Sequence, residues 1–355
     1  MINNFSNQVL KWYAAHGNHK LPWRRTKDPY KVWISEIMLQ QTQVQTVIPY
    51  YNKWHKLYPG FAALSKANLD SLLLIWQGLG YYKRVENILN SSKIITNEFN
   101  NIFPNKYDKI IQLPGIGDYT ASAILTIAFN QTYIPIDSNL RRIFTRMHML
   151  PTKLQSLQKY KKYGQYYINK ENPGDAVQAL MDIGRTICKA KKPLCKQCPL
   201  AFNCKAYIKN KIALYSIPKL KKIPTYKVVV GCISKKNQFI ITKRNKNKLL
   251  GNLWELPGGK LHTKEKLSDC LKREINEELN IKINNIAKVG TIKHQYSHFK
   301  IIITLFRCKY KSGKPRAIKS QAYKWIKTNQ IKSFAFPSAT HKLFKLINKN
   351  NESNL

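Results

Sequence analysis

The sequence predicts a multi-domain chain, in which an all-α region is followed by a smaller α+β domain. Three observations support this prediction. Residues 1–208 contain successive segments with helical patterns. Residues 209–225 are rich in Lys and contain Pro and Tyr, which is typical of a linker, and residues 226–355 begin with strand patterns. The chain has 355 residues, enough for two domains that each bury a core.

The composition favours a nucleic-acid partner. With 61 Lys and Arg against 18 Asp and Glu, the net charge is +43, and the pI is near 10.0. A strongly basic chain attracts polyanions, although its many Asn, Ile and Tyr residues also fit the codon bias of an AT-rich genome. No signal peptide and no membrane-spanning apolar run are visible. We therefore expect a soluble cytoplasmic protein without disulfides.

The first helical segments surround a basic aromatic loop. Residues 5–16 predict a helix, and the rigid loop Leu21-Pro22-Trp23-Arg24-Arg25 follows it. Asp28-Pro29 then supplies a cap and a proline at the first helical position, which predicts a helix running to about Val47.

Glu36 is a carboxylate among uncharged neighbours on this predicted helix. Gln40 lies one turn on and Gln43 two turns on, so we expect all three on one face. The pattern is typical either of a functional carboxylate or of an exposed polar face.

A glycine hairpin occupies the centre of the first 200 residues. The helical run of residues 106–113 stops at Pro114, and Gly115 and Gly117 supply backbone without Cβ atoms before a second run, residues 118–129. Unpaired N–H groups at a helix N-terminus bind anions, most often phosphate. The pattern therefore indicates a phosphate-binding hairpin, with an ordinary helical hairpin as the alternative.

Segments on both sides of the hairpin carry further candidates. Residues 78–84 combine glycines, tyrosines and cations, which fits either a DNA-contacting loop or a helix end with a core aromatic pair. A short apolar segment, residues 133–136, leads to Asp137, and a helix is predicted over 139–149. We expect an exposed helix within 152–172 and another from Pro173 to Cys188.

Four cysteines lie close together in the sequence. Cys188, Cys195, Cys198 and Cys204 have spacings of six, two and five residues. Four thiolates in so short a segment suit a tetrahedral zinc site or a 4Fe–4S cluster. Zinc sites more often pair two Cys-x2-Cys knuckles, so the uneven spacing favours the cluster.

The C-terminal domain carries a row of carboxylates. Strands are predicted over 226–234 and 238–242 and around 301–307, with a helix at about 265–279. Glu274, Glu277 and Glu278 share one face of that helix and would repel one another without a cation. Mg²⁺ is the candidate cofactor there, and a solvated acidic face is the alternative.

Together these features resemble the MutY-type adenine DNA glycosylases of the helix-hairpin-helix superfamily. The resemblance covers nearly the whole chain, through the segments 21–24, 35–43, 78–82, 113–117 and 137–139, the four cysteines, and the strands and helix of the C-terminal part. It implies an all-α helix-hairpin-helix glycosylase core with an iron–sulfur loop, residues 188–204, and an α+β, MutT-like (Nudix-fold) domain.

The resemblance implies a monofunctional enzyme that excises adenine paired with 8-oxoguanine, or with guanine, from duplex DNA. Glu36 would be the general acid, Asp137 would stabilise the oxocarbenium ion, Asn139 would orient Asp137, and Tyr119 would lie against the sugar. Strand-cleaving relatives carry a lysine where this chain has Tyr119, and a phenol cannot form a Schiff base.

The resemblance also implies how the substrate is recognised. Gln40, Gln41, Tyr81, Gly115 and Gly117 would contact opened duplex DNA. The adenine-pocket positions are Leu21, Trp23, Arg24 and Gln178. The loop Tyr296-Ser297-His298 would recognise 8-oxoguanine. The implied protein is a monomer on bacterial nucleoid DNA, with no membrane partner.

Some residues depart from the family pattern. Ser138 replaces a glycine, and Val177 and Arg185 replace the usual asparagine and alanine. The Nudix signature, lost in most such proteins, is nearly complete here, with Asn280 in place of its second glycine. An alternative function is therefore a glycosylase fused to an active nucleotide pyrophosphohydrolase. A strand-cleaving glycosylase, and a pyrophosphohydrolase with a DNA-binding module, are further alternatives.

Overall fold

The computed structural model describes residues 2–151, 156–215, 223–296 and 298–352. Its contacts divide the chain into two compact units. The first unit comprises Met1–Lys66 and Asn87–Leu220, and the second unit comprises Ala67–Glu86 and Lys221–Leu355. Within the described residues, no helix has the length and apolar character needed to cross a membrane.

The described residues form helices throughout the first unit and a sheet with helices in the second. The helices are α1 (Ile2–His16), α2 (Pro29–Leu39), α3 (Val44–Leu57), α4 (Phe61–Ser65), α5 (Leu69–Trp76), α6 (Lys83–Glu98), α7 (Tyr107–Ile110), α8 (Asp118–Ile127), α9 (Ser138–His148), α10 (Leu157–Tyr167), α11 (Pro173–Thr186), α12 (Lys205–Ile208), α13 (Leu267–Leu279) and α14 (Ser338–Glu352). The strands are β1 (Thr225–Lys235), β2 (Gln238–Arg244), β3 (Trp254–Glu255), β4 (Gly258–Lys260), β5 (Lys282–Gln295), β6 (Lys300–Ser312) and β7 (Ser320–Ile326). Short 3₁₀ turns lie at Pro22–Arg24, Cys195–Gln197, Ala201–Asn203, Ile212–Tyr215 and Thr328–Ser333.

The helix that carries Glu36 begins as predicted. Asp28 caps α2, because its Oδ1 atom accepts a hydrogen bond from the N–H of Tyr30 at 2.9 Å. Pro29 takes the first helical position. A backbone N–H at this position has no acceptor within the helix, so proline costs no helical hydrogen bond there.

The predicted end of this helix is wrong. α2 stops at Leu39, because Gln41 adopts φ 58°, outside the right-handed helical region. Gln40 follows the last helical residue, and Gln43 precedes α3 as its N-cap. Neither glutamine therefore shares a helix face with Glu36.

The hairpin has a shorter first helix than predicted. α7 covers one turn of the run expected over 106–113, whereas α8 and α9 match their predictions closely. Gly115 takes φ 78°, and a Cβ there would lie 2.7 Å from the side chain of Asn87. Glycine is therefore required at this turn for both backbone and steric reasons.

One core of the first unit holds the segment before Asp137 in place. Ile134 and Ile136 are buried in it beside residues of α1, α9 and α11. Its members from these three helices include Phe5, Val9, Tyr13, Leu140, Phe144, Val177, Leu180 and Ile183. Burial of such apolar side chains fixes where the chain enters α9.

The second unit contains a mixed seven-stranded sheet. The strand order is β3-β2-β1-β6-β5, with β4 also paired to β1 and β7 to β2. β1 and β6 are parallel, while the other pairs are antiparallel. Leu271 and Ile275 of α13 belong to one core of this unit, and Leu343 and Phe344 of α14 belong to another.

The sequence patterns located β1, β2, β6 and α13 but gave no element for β3, β4, β5, β7 or α14. β5 is long, mostly polar and interrupted by register shifts, so it shows little apolar alternation. Asn280 ends α13 in the left-handed conformation, with φ 54° and ψ 41°, which asparagine adopts more readily than most residues other than glycine.

Candidate active site and family

A cavity of about 200 Å³ in the first unit brings together the predicted catalytic and adenine-pocket residues. These residues are Leu21, Trp23, Arg24, Glu36, Tyr119, Asp137, Asn139 and Gln178. They come from the first 3₁₀ turn, α2, α8, the start of α9, and α11. The fold therefore places in one site side chains that are far apart in the sequence.

Glu36 is buried in the cavity wall, with 6% of its surface exposed. The hydroxyl of Tyr119 donates a hydrogen bond to its Oε2 atom at 2.9 Å. Burial raises the pKa of Glu36, and the charge of Asp137 adds to the rise, while the Tyr119 hydrogen bond and the charge of Arg24 oppose it. A carboxyl group in this setting can retain its proton above the usual range for glutamate.

Asp137 is held at the N-terminus of α9 by two hydrogen bonds. Its Oδ1 atom accepts from the N–H of Leu140, and its Oδ2 atom accepts from Nδ2 of Asn139, both at 2.8 Å. Burial raises the pKa of Asp137, and these hydrogen bonds and the charge of Arg142 oppose the rise by favouring the carboxylate. Ser138 is the first residue of α9, so its replacement of glycine requires no unusual backbone.

Arg142 is a site residue that the sequence reasoning missed. Its Nη2 atom donates to Oδ1 of Asn139 at 2.8 Å and to the carbonyl of Gly184 at 2.6 Å. Its Nε atom donates to the carbonyl of Cys188 at 2.6 Å. The spacing of Asn139 and Arg142, one helical turn apart, was the available signal.

Asp182 was also missed. It lies on α11 in the cavity wall, with 4% of its side chain exposed, and pairs with Arg24 and Arg185. The carboxylate of Asp182 lies three residues before Arg185 on α11, and this spacing of opposite charges was the signal that could have identified it.

The four cysteines carry free thiols in the first unit. Burial raises the pKa of the Cys198 thiol to about 12, and the thiols of Cys188, Cys204 and Cys195 add to this rise. Nη1 of Arg146 donates a hydrogen bond to Sγ of Cys188 at 3.3 Å. Four thiols are the donor type that a 4Fe–4S cluster takes, but no three Cys, His, Asp or Glu side chains of the described residues converge as metal ligands, so the cluster stays a prediction.

The predicted DNA contacts lie on turns rather than in the cavity wall. Gln40 donates from Nε2 to Oγ1 of Thr120 at 3.3 Å, and Gln41 has φ 58°. Gly117 precedes α8 as its N-cap and supplies no side-chain cap to it. In the second unit, Tyr81 has φ 48°, and the Arg84 guanidinium lies 5.7 Å from its ring centroid.

A cavity of about 730 Å³ in the second unit is lined by Tyr296, one of the three predicted 8-oxoguanine-reading residues. The Tyr296 ring is half-buried, 4.9 Å from that of Phe299, and burial raises the pKa of its hydroxyl to about 12. His298 is exposed, and Ser297 lies outside the described residues. The predicted role of this loop stays a prediction.

The carboxylates of α13 are held by cations and by backbone. Arg273 pairs with Glu274 at 2.8 Å and with Glu265 at 2.7 Å, and Glu277 pairs with Lys319. Glu278 points elsewhere and accepts from the N–H of Gly258 at 3.1 Å. These contacts satisfy the acids without a metal, so Mg²⁺ binding stays a prediction.

Burial raises the pKa of Glu278 to about 7, with a further contribution from the charge of Glu255. Both carboxyl groups line the larger cavity.

Family models match both parts of the chain. A model described as "HhH-GPD superfamily base excision DNA repair protein" matches residues 34–166, and one described as "NUDIX domain" matches residues 228–346. Among solved structures, a thermostable thymine-DNA glycosylase aligns with a TM-score of 0.55 at 25% identity, covering 58% of this chain and 96% of that one. A trapped endonuclease III–DNA covalent intermediate aligns with a TM-score of 0.51 at 22% identity, covering 59% and 96%, which supports the fold.

Two relatives that align over most of the chain are adenine DNA glycosylases. The adenine DNA glycosylase of Buchnera aphidicola subsp. Baizongia pistaciae (strain Bp) is 40% identical over 307 residues, covering 84% of each chain. The human adenine DNA glycosylase is 26% identical over 408 residues, covering 97% of this chain and 74% of that one. Together with the DNA-repair family model, these relatives confirm the predicted resemblance and the predicted enzyme class. The chain therefore belongs to the adenine DNA glycosylase family, base excision repair enzymes that hydrolyse N-glycosyl bonds.

Proposed function

We propose that this chain removes adenine paired with 8-oxoguanine, or with guanine, from duplex DNA and leaves an abasic site. The observation that carries the proposal is the arrangement of Glu36, Tyr119 and Asp137 in one buried cavity. The names of the relatives support adenine as the base.

The chemistry follows from two carboxyl groups with different protonation states. Neutral Glu36 donates its proton to a ring nitrogen of adenine as the bond from nitrogen to the sugar breaks, and the bonding electrons leave with the base. Ionised Asp137 stabilises the oxocarbenium-like sugar, held in place by Asn139. The Glu36 carboxylate then accepts a proton from the water that attacks the sugar, which returns the acid to its starting state.

Adenine must leave the base stack before it can react. We propose that Leu21, Trp23, Arg24 and Gln178 bind it in the cavity. Gln40, Gln41 and Tyr81 would support the opened duplex, and the hairpin at Gly115 and Gly117 would bind its phosphates. These residues carry the roles that the resemblance implied.

The cysteine loop and the second unit would complete recognition. We propose that Cys188, Cys195, Cys198 and Cys204 hold a 4Fe–4S cluster, which would shape a lysine-rich loop beside the DNA. We assign reading of 8-oxoguanine to Tyr296, Ser297 and His298, on a domain that starts near residue 226. The protein would act as a monomer on nucleoid DNA in the bacterial cytoplasm.

One observation favours a second activity. The larger cavity is lined by Glu274, Glu278 and Lys260 and carries most of a Nudix signature, which fits a nucleotide pyrophosphohydrolase. Against it, Arg273 and Lys319 already neutralise carboxylates that a metal would need.

The test is incubation of the protein with three duplexes that carry adenine opposite 8-oxoguanine, guanine or thymine. We expect free adenine from the first two and little from the third. Equal release from all three would reject the proposed specificity, and no release from any would reject the function.

A further inference from the structure

Asp182 receives two guanidinium groups on a single carboxylate oxygen. Its Oδ1 atom lies 3.5 Å from Nη2 of Arg24 and 3.2 Å from Nη2 of Arg185. The other oxygen, Oδ2, accepts a hydrogen bond from the backbone N–H of Asn18 at 3.2 Å. The buried negative charge of Asp182 is therefore shared by the guanidinium groups of Arg24 and Arg185.

Arg24 is held by this shared oxygen and by the ring of Tyr13, whose centroid lies 6.0 Å from the guanidinium carbon. Its side chain is 8% exposed, and within the described part of the chain its Nε and Nη1 atoms are buried without a hydrogen-bond partner. Buried N–H groups without partners are costly, so they are groups that a ligand in the cavity can satisfy. Arg24 lines the cavity that also holds Glu36 and Asp137.

Arg185 differs from Arg24 in its access to solvent. It lines the same cavity but is 41% exposed, and it is closer to Oδ1 of Asp182 than Arg24 is. Because Arg185 is partly exposed, water and salt reach its side of the ion pair, so a competing anion can displace it.

We propose that Arg185 is a DNA-responsive positioning residue, which leaves Asp182 for a backbone phosphate beside the extruded nucleotide when duplex DNA binds. Asp182 then pairs with Arg24 alone and fixes that guanidinium against the base. A guanidinium matches the geometry of a phosphate and can bind it through two hydrogen bonds. This inference rests on the proposed function, because it requires a nucleotide in the cavity.

Two measurable effects follow. In complexes with DNA, Arg185 contributes one phosphate contact, so its removal lowers the slope of log affinity against log salt by about 1. The pH dependence of the chemical step, by contrast, reports the groups that face Glu36: Tyr119 from α8, Arg24 from the first 3₁₀ turn and Asp137 before α9. Arg185, having moved to a phosphate, does not affect it.

The binding experiment uses full-length protein in a Glu36→Gln background, so that a duplex with adenine opposite 8-oxoguanine is bound while excision of the adenine is slowed about 10²- to 10⁴-fold. We expect Arg185→Ala to lower the salt slope by about 1, and Arg185→Lys to restore most of it. Lys170→Ala is the matched control, because Lys170 is exposed and lines none of the cavities described. An equal fall in slope for Lys170→Ala, or no fall for Arg185→Ala, overturns the proposal.

The kinetic experiment uses the wild-type Glu36 enzyme under single-turnover conditions. Asp182→Asn removes the charge that compensates Arg24, which favours ionised Glu36, so the alkaline limb of the pH–rate profile should move to lower pH. Arg185→Ala should leave that limb in place. If Arg185→Ala moves the limb, the residue stays on Asp182 in the complex and the proposal is wrong.

The two experiments separate this inference from the proposed function. If Asp182→Asn fails to fold, the Arg185→Ala and Arg185→Lys variants decide the question alone. If the wild-type protein releases no adenine, the proposed function fails. If it releases adenine and Arg185→Ala changes only the pH limb, the function stands and this inference fails.

Discussion

Arg142 hydrogen-bonds to Cys188: its Nε atom donates to the carbonyl oxygen of the first cysteine at 2.6 Å. The same guanidinium donates to Asn139, which in turn donates to Asp137, both at 2.8 Å. The proposed cluster loop and the proposed catalytic carboxylate are thus joined through one largely buried arginine. We therefore expect a substitution of Arg142 to affect both the cysteine loop and the position of Asp137.

Arg142→Ala should slow base excision about 10- to 100-fold, because hydrogen bonds to charged groups contribute about 1.5–3 kcal/mol and each 1.4 kcal/mol changes the rate tenfold. It should also lower iron and sulfide below the roughly four of each per chain expected for the cluster. Single-turnover rates and metal analysis measure both effects. Arg141→Ala is the control, since Arg141 stacks on Tyr160 instead. An Arg142→Ala variant with full activity would sink this linkage, as would wild-type protein containing zinc but no iron.

Glu36→Gln should lower the rate of base excision about 10²- to 10⁴-fold, the usual contribution of a general acid, and leave DNA affinity nearly unchanged. Glutamine keeps the size of the side chain, but its amide has no acidic proton to transfer to adenine. Single-turnover cleavage and a binding titration on the same duplex separate the two quantities. Full activity of the variant at neutral pH would reject Glu36 as the acid.

The pH–rate profile of the wild-type enzyme should be bell-shaped. Glu36 must be protonated, so activity is lost as pH rises through its raised pKa. Asp137 must be ionised, so activity is lost as pH falls through its pKa, which is also raised. Single-turnover rates across the pH range test this, and Asn139→Ala should move the acid limb to higher pH, because it removes a hydrogen bond that favours the Asp137 carboxylate.

The product should be an intact strand that breaks only after alkali, because Tyr119 cannot form a Schiff base. Denaturing gels with and without alkali show this directly. Borohydride should trap no covalent adduct with wild-type protein. Efficient nicking without alkali, together with a trapped adduct, would mean that a lysine elsewhere forms the Schiff base.

Tyr296→Ala combined with His298→Ala should lower discrimination between 8-oxoguanine and guanine while sparing excision, because the pair offers a stacking ring and an imidazole. Excision rates on the two duplexes give the ratio. Glu277→Gln is the control, since its carboxylate pairs with Lys319.

We also expect no appreciable hydrolysis of oxidised dGTP by the protein with Mg²⁺. Turnover that Glu277→Gln removes would instead identify a two-enzyme fusion.

The sequence predicted elements whose signals are local. Asp28 and Pro29 marked the start of α2, and Gly115 marked the hairpin turn. The break after Leu39 escaped prediction, because no glycine or proline precedes the left-handed Gln41. A residue of this kind is placed there by the surrounding fold rather than by its own preference.

The family resemblance predicted the catalytic and adenine-pocket residues of the candidate site. The residues that were missed, Arg142 and Asp182, have partners that are distant in the sequence. Arg142 binds the backbone of Gly184 and Cys188, more than forty positions away. Asp182 binds Arg24, which lies still further off in the sequence. No periodic pattern encodes such pairs, since they exist only when the helices have packed.

The left-handed backbone at Gln41 and Tyr81 lowers the stability of the fold, while the side chains at these positions are proposed to contact DNA. A non-glycine residue in this conformation costs on the order of 1 kcal/mol, which glycine would recover. Selection for thermal resistance alone should therefore enrich glycine at both positions and discard the side chains proposed to hold the duplex open. A library of variants selected by melting temperature would thus yield proteins that are more stable but remove adenine less efficiently.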